Sequence, residues 1–298
     1  MGAMSLMNVW GQIRKIDLDE RIFQIKIKNK IEYFYFSRSQ YKKFRPYLHE
    51  GLYVFFLCKE EKSIKCHRST REVISFTKMM RHTSKGFITY YDLDMIKKGV
   101  NKLLSKDAYR MFIDLEFTMP SYSYVHGSGF KPEIIQYGIY LEDSEGNLVL
   151  TEHDNVLPLD MNSITDRTYS FLNLTEKDFK KAKTYNQFYY TLKNILTYYQ
   201  PIVYVWGRND IYVIDLSCEM HHKPKVLERK QVVNIMQVIK NYYSIKSDIG
   251  LFNAYELFGR KAPIAQDHNS LHDAVATSEV FHLFLEEIKK RNNNEKTI

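Results

Sequence analysis

The chain has 298 residues, enough for one large domain or two modest ones, and we expect two domains with separate cores. A hydrophobic fraction of 44%, a charged fraction of 26% and only 12 glycines and 7 prolines exclude collagen-like and disordered chains. The net charge of +8 is uneven, since residues 1–81 hold 17 Lys and Arg against 8 Asp and Glu. This imbalance favours an N-terminal domain that binds a polyanion, although a solvated lysine-rich surface is the alternative.

The cellular compartment is predicted from what the sequence lacks. The longest uncharged apolar run, 51–58, is far shorter than a membrane-spanning helix requires, so no membrane partner is expected. Residues 1–7 contain no basic segment followed by an apolar one, so no targeting signal is predicted. Three cysteines, an odd number, argue against a disulfide framework. We therefore predict a cytoplasmic protein.

Residues 1–82 are predicted to form a small basic β domain. A hairpin is expected over 8–16 and 23–27, and further strands over 31–36, 51–58 and 71–77, with a short helix within 37–48. This pattern is typical of a β-barrel-like domain of the OB or cold-shock type. Aromatic residues interleave with lysines along these strands, a mixture that binds single-stranded nucleic acid. The alternative is that most of the aromatic residues belong to the core.

A helical connector is predicted over 83–107, because apolar residues recur with a period of 3.6 after Asp92, which is a suitable N-cap. The domain at 108–298 then combines strands at 111–113, 134–141, 148–151 and 202–206 with helical patterns at 188–199, 210–220, 247–258 and 271–291. We predict an α/β fold with a mixed sheet flanked by helices.

Four carboxylates indicate a metal site in this domain. Asp114 and Glu116 are two residues apart in an apolar strand and therefore share one face. Like charges this close raise each other's proton affinity unless a divalent cation lies between them. Asp210 follows the strand at 202–206, and Asp273 lies near the start of a long helix, five residues after His268. The bland alternative is a set of solvated acidic residues.

These residues fall into three ordered blocks that together resemble the DEDD exonucleases of the histidine subtype. The blocks are Ile-Asp-Leu-Glu-Phe-Thr at 113–118, Trp-Gly-Arg-Asn-Asp at 206–210 and His-Asn-Ser-Leu-His-Asp-Ala at 268–274. The stretches 116–120 and 132–138 and the pair Trp206-Gly207 look most similar to the KapD-type and enhanced-RNA-interference-type exonucleases. Two features depart from the family: His272 stands where a second acidic residue is usual, and residues 1–90 lie outside the match.

The resemblance implies a ribonuclease-H-like fold and hydrolysis of nucleoside monophosphates from the 3′ end of single-stranded RNA or DNA. It implies that Asp114, Glu116, Asp210 and Asp273 hold two Mg²⁺ or Mn²⁺ ions. His268 would be the general base, because imidazole titrates closest to neutral pH. Phe117, Thr118 and Met119 would contact the terminal nucleotide.

Other functions are disfavoured by the motifs. His268 and His272 are four residues apart, but no glutamate accompanies them as in the zinc helix His-Glu-x-x-His, and no zinc site is expected. The sequence has no phosphate loop, dinucleotide-binding turn or serine nucleophile elbow. The remaining alternative to an exonuclease is a non-catalytic nucleic-acid-binding or regulatory protein that retains the fold.

Overall fold

The computed structural model describes residues 5–104, 107–124, 129–243, 245, 247–262 and 267–295. The chain divides into two compact units, Met1–Val100 and Asn101–Ile298. The end of the first unit was predicted at residue 82, but the unit continues further. The chain turns back after Thr83, and the strand Gly86–Asp92 then joins the first sheet. The helix predicted within the connector is present at Leu93–Leu104, and Asp92 caps it by accepting the Met95 N–H at 3.1 Å.

The first unit is a β structure that closes into a five-stranded barrel. Its strands are β1 Leu6–Asp17, β2 Ile22–Ile27, β3 Lys30–Tyr35, β4 Tyr53–Lys65, β5 Arg68–Thr83 and β6 Gly86–Asp92. The sheet order is β3-β2-β1-β4-β5-β6, and a parallel pairing of β3 with β5 closes the ring, with β6 as an added edge strand. Helix α1, Arg38–Phe44, lies between β3 and β4 and starts with a capping box formed by Ser37 and Gln40.

The aromatic residues of this unit divide between its core and its surface. Phe23, Phe34 and Phe36 are buried in the core. Strand alternation turns Tyr33 and Tyr35, the neighbours of Phe34, to the outer side of β3. The β4–β5 hairpin turns through two residues in the left-handed conformation, Cys66 and His67, and Cys66 is exposed.

The second unit is a mixed sheet flanked by helices, as predicted. Its strands are β7 Arg110–Phe117, β8 Ile134–Glu142, β9 Leu148–Leu157, β10 Lys183–Thr184, β11 Ile202–Val205 and β12 Val232–Asn234, in the order β10-β9-β8-β7-β11-β12. Strands β7, β8 and β9 are antiparallel neighbours, whereas β11 runs parallel to β7 and to β12.

The helices after the connector helix, α2, are α3 Asp166–Leu172, α4 Tyr185–Tyr199, α5 Asn209–Met220, α6 Ile235–Tyr243, α7 Leu251–Ala254 and α8 Ser270–Glu295. The predicted helix at 247–258 consists of α7 and a following 3₁₀ turn, Tyr255–Phe258. Among the α-helices and strands of the second unit, α3, α6, β10 and β12 were not predicted. Among the described residues, no helix combines the length and apolar character needed to cross a bilayer.

Candidate active site

Strand β7 turns its two carboxylates to the face of the sheet that carries α8. Met111, Ile113 and Leu115 belong to the core cluster that also holds the buried side chains of α4 and α5. The opposite face is marked by Phe112, whose ring centroid lies 5.5 Å from that of Phe281 on α8. Because side chains alternate along a strand, Asp114 and Glu116 share this second face, as their spacing predicted.

The start of α8 lies directly against strand β8, which pairs with β7. Residues Gly138 and Gln136 of β8 stand opposite Asp114 and Glu116. A Cβ atom at Gly138 would lie 2.2 Å from the carbonyl carbon of Ser270, so only a glycine admits the helix here. The Gln136 Oε1 atom accepts the Ser270 N–H at 2.9 Å and its hydroxyl at 3.1 Å. Asp273, in the first turn of α8, is thereby held over the sheet.

The fourth carboxylate, Asp210, arrives from strand β11. Because β11 runs parallel to β7, both strands end at the same edge of the sheet. Gly207 turns the chain there with a φ of 109°, and its N–H donates to Asn234 Oδ1 at 3.3 Å. Asp210 lies in the first turn of α5, is buried, and accepts the Leu115 N–H at 3.2 Å through Oδ1. This bond ties Asp210 to the strand that carries Asp114 and Glu116.

The donor atoms of this cluster suit a divalent cation. Glu116, His268 and Asp273 each offer a ligand atom, and these atoms lie within 4.8 Å of one another. The Oδ1 atom of Asp273 is buried and accepts no hydrogen bond within the described part of the chain. A buried carboxylate oxygen is costly unless a proton, a donor or a cation compensates it. Clustered carboxylate oxygens are the ligands that Mg²⁺ and Mn²⁺ prefer, so the residues fit such an ion.

The carboxylates titrate far from their ordinary range. Burial, with repulsion from Asp273 and Asp210, raises the pKa of Glu116 to about 8. Burial also raises the pKa of Asp210 to about 7 and that of Asp273 to about 6. The pKa of Asp114 lies well above its ordinary value because the residue is buried among the other three carboxylates. The cluster therefore holds protons near neutral pH unless a cation replaces them.

His268 stands two residues before the start of α8 and has a left-handed φ of 53°. The ring of Phe171, on helix α3, lies against its imidazole, with the two centroids 4.1 Å apart and the planes tilted by 35°. Phe171 was not identified from the sequence, because α3 was not predicted. No local pattern in residues 166–172 indicates a contact with a residue almost a hundred positions later. The contact depends on the tertiary fold.

The end of β7 and the loop after it carry the three predicted substrate contacts, Phe117, Thr118 and Met119. Phe117 is partly buried against the core, whereas Thr118 is only 1% exposed. The Thr118 hydroxyl accepts the Glu133 N–H at 3.0 Å, and its own N–H donates to the Glu133 carbonyl at 2.9 Å. Thr118 thus holds the loop against Glu133 and is not exposed on the surface of the loop. The backbone of Met119 is bound to α3 instead.

His272 does not pair with His268 on one helical face. His268 precedes the helix, whereas His272 lies within its first turns, and its Nδ1 atom lies 2.7 Å from Asp267 Oδ2. The group of described ligand atoms that includes His268 contains Glu116 and Asp273 and does not contain His272.

No protein-family model matches the chain. The probable 3′-5′ exonuclease KapD of Bacillus subtilis (strain 168) is 28% identical over 173 residues, which cover 58% of this chain and 82% of that protein. The nuclease domain of 3′hExo, a DEDDh family member solved bound to rAMP, superposes with a TM-score of 0.54 at 19% identity, covering 61% of this chain and 94% of that one. Cell-death related nuclease 4 superposes with a TM-score of 0.51 at 12% identity, covering 60% and 64%. These comparisons confirm the resemblance predicted from the three blocks and the nuclease fold that it implies.

Proposed function

We propose that this chain is a metal-dependent 3′→5′ exonuclease of the DEDD family, histidine subtype, which releases nucleoside monophosphates from single-stranded RNA or DNA. One arrangement carries the proposal: Glu116, Asp273 and His268 bring ligand atoms within 4.8 Å of one another, and Asp114 and Asp210 are close enough to interact electrostatically with these carboxylates. The buried Asp273 Oδ1 atom of this cluster has no hydrogen-bond partner among the described residues. The similarity to KapD supports this activity.

The four carboxylates are the proposed metal ligands. Bound between Asp114, Glu116, Asp210 and Asp273, two Mg²⁺ or Mn²⁺ ions would neutralise the cluster, lower the pKa of the attacking water and stabilise the leaving oxygen. The protein keeps the carboxylates in place before any ion arrives. Gln136 and Gly138 fix the start of α8, and the Leu115 N–H orients Asp210.

His268 is the proposed general base. It stands beside two of the carboxylates, where a ring nitrogen can accept the proton of the attacking water. Phe117, the last residue of β7, would stack on the terminal base, and Met119, in the loop that follows, would contact the terminal nucleotide, because both lie next to Glu116 along the chain. Thr118, which the sequence placed with them, would act indirectly by holding this loop against Glu133.

The decisive experiment incubates 5′-labelled RNA and DNA oligonucleotides with Mn²⁺ and resolves the products on a gel. We expect stepwise shortening by the wild type and none by Asp210→Asn. The control Glu219→Gln, which changes an exposed carboxylate on α5, should retain full activity. Binding of the oligonucleotide without shortening by the wild type would instead establish the non-catalytic alternative.

We also propose that the first unit is an OB-type barrel that binds the same single-stranded nucleic acid. Support comes from its ring order, β1-β2-β3-β5-β4, with a helix between β3 and β4. On the outer side of β3, the Arg68 guanidinium lies 5.4 Å from the centroid of the Tyr33 ring, and Lys65 lies 5.5 Å from that of Tyr35. Tyr33 and Arg68 also border a cleft of about 360 Å³. Aromatic faces paired with cations bind stacked bases and phosphates.

The barrel proposal is tested by the salt dependence of binding. The double variant Tyr33→Ala/Arg68→Ala should weaken binding of long single strands and lower the magnitude of the salt slope by roughly 0.7 for each phosphate that the barrel no longer binds. The matched control is Lys85→Ala, which removes an exposed cation from the β5–β6 turn. Equal slopes for the double variant and the wild type would assign the barrel to another partner.

A further inference from the structure

We propose that Phe171 is a positioning residue that holds the imidazole of His268 in the orientation needed for proton transfer. This inference rests on the proposed exonuclease function and adds a residue that none of the three sequence blocks contains. It starts from one contact, in which the Phe171 ring lies against the imidazole with 4.1 Å between centroids. Neighbouring aromatic rings attract each other beyond simple burial.

The backbone conformation of His268 is one that its surroundings must stabilise. A non-glycine residue with a φ of 53° occupies a sparsely populated region, so the conformation persists only when its surroundings enforce it. His268 also precedes α8 and lacks the backbone restraint of a helix interior. On one side, the imidazole has the carboxylates of Glu116 and Asp273 within ligand distance. Phe171 supplies an apolar contact that limits the ring's rotation.

Helix α3, which carries Phe171, has only seven residues but is fixed in place by hydrogen bonds and packing. Thr165 caps its start and donates its hydroxyl to the Met119 carbonyl at 3.0 Å. The fully buried Thr168 accepts the Met119 N–H at 2.9 Å. At the other end, Leu172 is buried in a small cluster with Phe179 and Ile164. The helix is therefore anchored on both sides of Phe171.

The same helix joins two parts of the site. Its first turn is bonded to the backbone of Met119, on the loop proposed to contact the terminal nucleotide, and its last turn carries Phe171. A displacement of that loop would therefore pass through a short rigid element to the general base. Phe171 is 49% exposed, so its replacement should leave the core of the second unit intact.

A double-mutant cycle separates positioning from binding. Phe171→Ala should lower kcat on the order of 10- to 100-fold with KM nearly unchanged, because a small misplacement of a reacting group costs about that much. Phe171→Tyr, which keeps the ring, should restore most of the rate, whereas Phe171→Leu should not. In a His268→Ala background, Phe171→Ala should cause no further loss, since both changes remove the same effect. The control Tyr198→Ala, an 81% exposed aromatic residue on α4, should have no effect in either background.

Two kinetic results would overturn the proposal. A raised KM with unchanged kcat would show that Phe171 contacts the nucleotide itself. A loss of rate by Phe171→Ala that is as large without His268 as with it would show that Phe171 acts independently of the base.

A measurement that needs no catalysis keeps this inference distinct from the proposed function. The ring signals of the 10 histidines can be recorded by NMR in the metal-free protein, with His268 assigned from its absence in His268→Ala. Removal of the aromatic ring in Phe171→Ala should move the His268 signals, and Phe171→Tyr should leave them near their wild-type positions. Unchanged His268 signals in Phe171→Ala would refute the contact, whereas failure of the wild type to shorten any oligonucleotide would refute the proposed function alone.

Discussion

The acidic cluster should make the metal-free protein less stable as the pH rises, and replacement of Glu116 by Gln should remove much of this effect. A group whose pKa is raised on folding stabilises the folded state below its ordinary pKa and loses that contribution as the pH rises to the folded value. For Glu116 the window runs from about 4.5 to about 8. Asp210 and Asp273 shift in the same direction, with upper limits of about 7 and about 6.

The size of the effect follows from the shift. Each pKa unit corresponds to about 1.4 kcal/mol, so the full shift of Glu116 amounts to about 5 kcal/mol of unfolding free energy. At pH 8 the group is about half ionised, which reduces the loss to about 4 kcal/mol. The side chain is also partly exposed and shares its repulsion with its neighbours. We therefore expect Glu116→Gln to be about 2 to 4 kcal/mol more stable than wild type at pH 8 and equal to it at pH 4.

The assay is urea unfolding in EDTA, followed through tryptophan fluorescence. The chain has two tryptophans, Trp10 in the first unit and Trp206 in the second, so a Trp10→Phe background reports the second unit alone. Glu219→Gln is the matched control and should follow the wild type at both pH values. Identical pH dependence for Glu116→Gln and the wild type would refute the electrostatic account of the cluster. Addition of Mn²⁺ should stabilise the wild type most at pH 8, where ions and protons compete least.

Three further predictions concern activity. Gly138→Ala should destabilise the second unit by about 1 to 3 kcal/mol and lower turnover more than tenfold, because a Cβ atom there displaces the start of α8. Urea unfolding measures the loss of stability and oligonucleotide hydrolysis the loss of turnover, and full activity of this variant would contradict the prediction. His268→Ala should cost 10²–10⁴ in rate while calorimetry still shows Mn²⁺ binding, whereas a collapse of Mn²⁺ affinity would make His268 a ligand. EDTA should abolish hydrolysis, with recovery on Mn²⁺ or Mg²⁺ but not Ca²⁺, and hydrolysis in excess chelator would exclude a metal-dependent reaction.

The sequence predicted the parts of the fold that have strong local signals. The long strands of both units and helices α4, α5 and α8 follow from hydrophobic periodicity, and the shared face of Asp114 and Glu116 follows from strand alternation. The convergence of Asp210 and Asp273 on that face was expected from the family resemblance. Local sequence patterns did not predict the contacts that bring these residues together, namely the close approach of α8 to Gly138 and the parallel pairing of β11 with β7.

The elements that were missed depend on tertiary contacts. Strand β6 exposes Phe87 and Ile88, has no fully buried residue and is defined by its pairing with β5. Helix α3 is one of the shortest helices and is held by hydrogen bonds to Met119, a partner more than forty residues away. The hydroxyl of Thr118 illustrates the same limit, because its engagement with Glu133 across a loop has no local signature.

The turn of the β4–β5 hairpin makes the barrel easy to label. Cys58 and Cys218 are buried, whereas Cys66 is exposed at the tip of this hairpin, between Lys65 and Arg68. A maleimide dye should therefore attach at Cys66 in the native protein without mutagenesis, since thiol reactivity requires access. The dye would stand beside the cations that face Tyr33 and Tyr35. Its fluorescence would report whether a nucleic-acid strand binds at the barrel, as proposed, independently of hydrolysis.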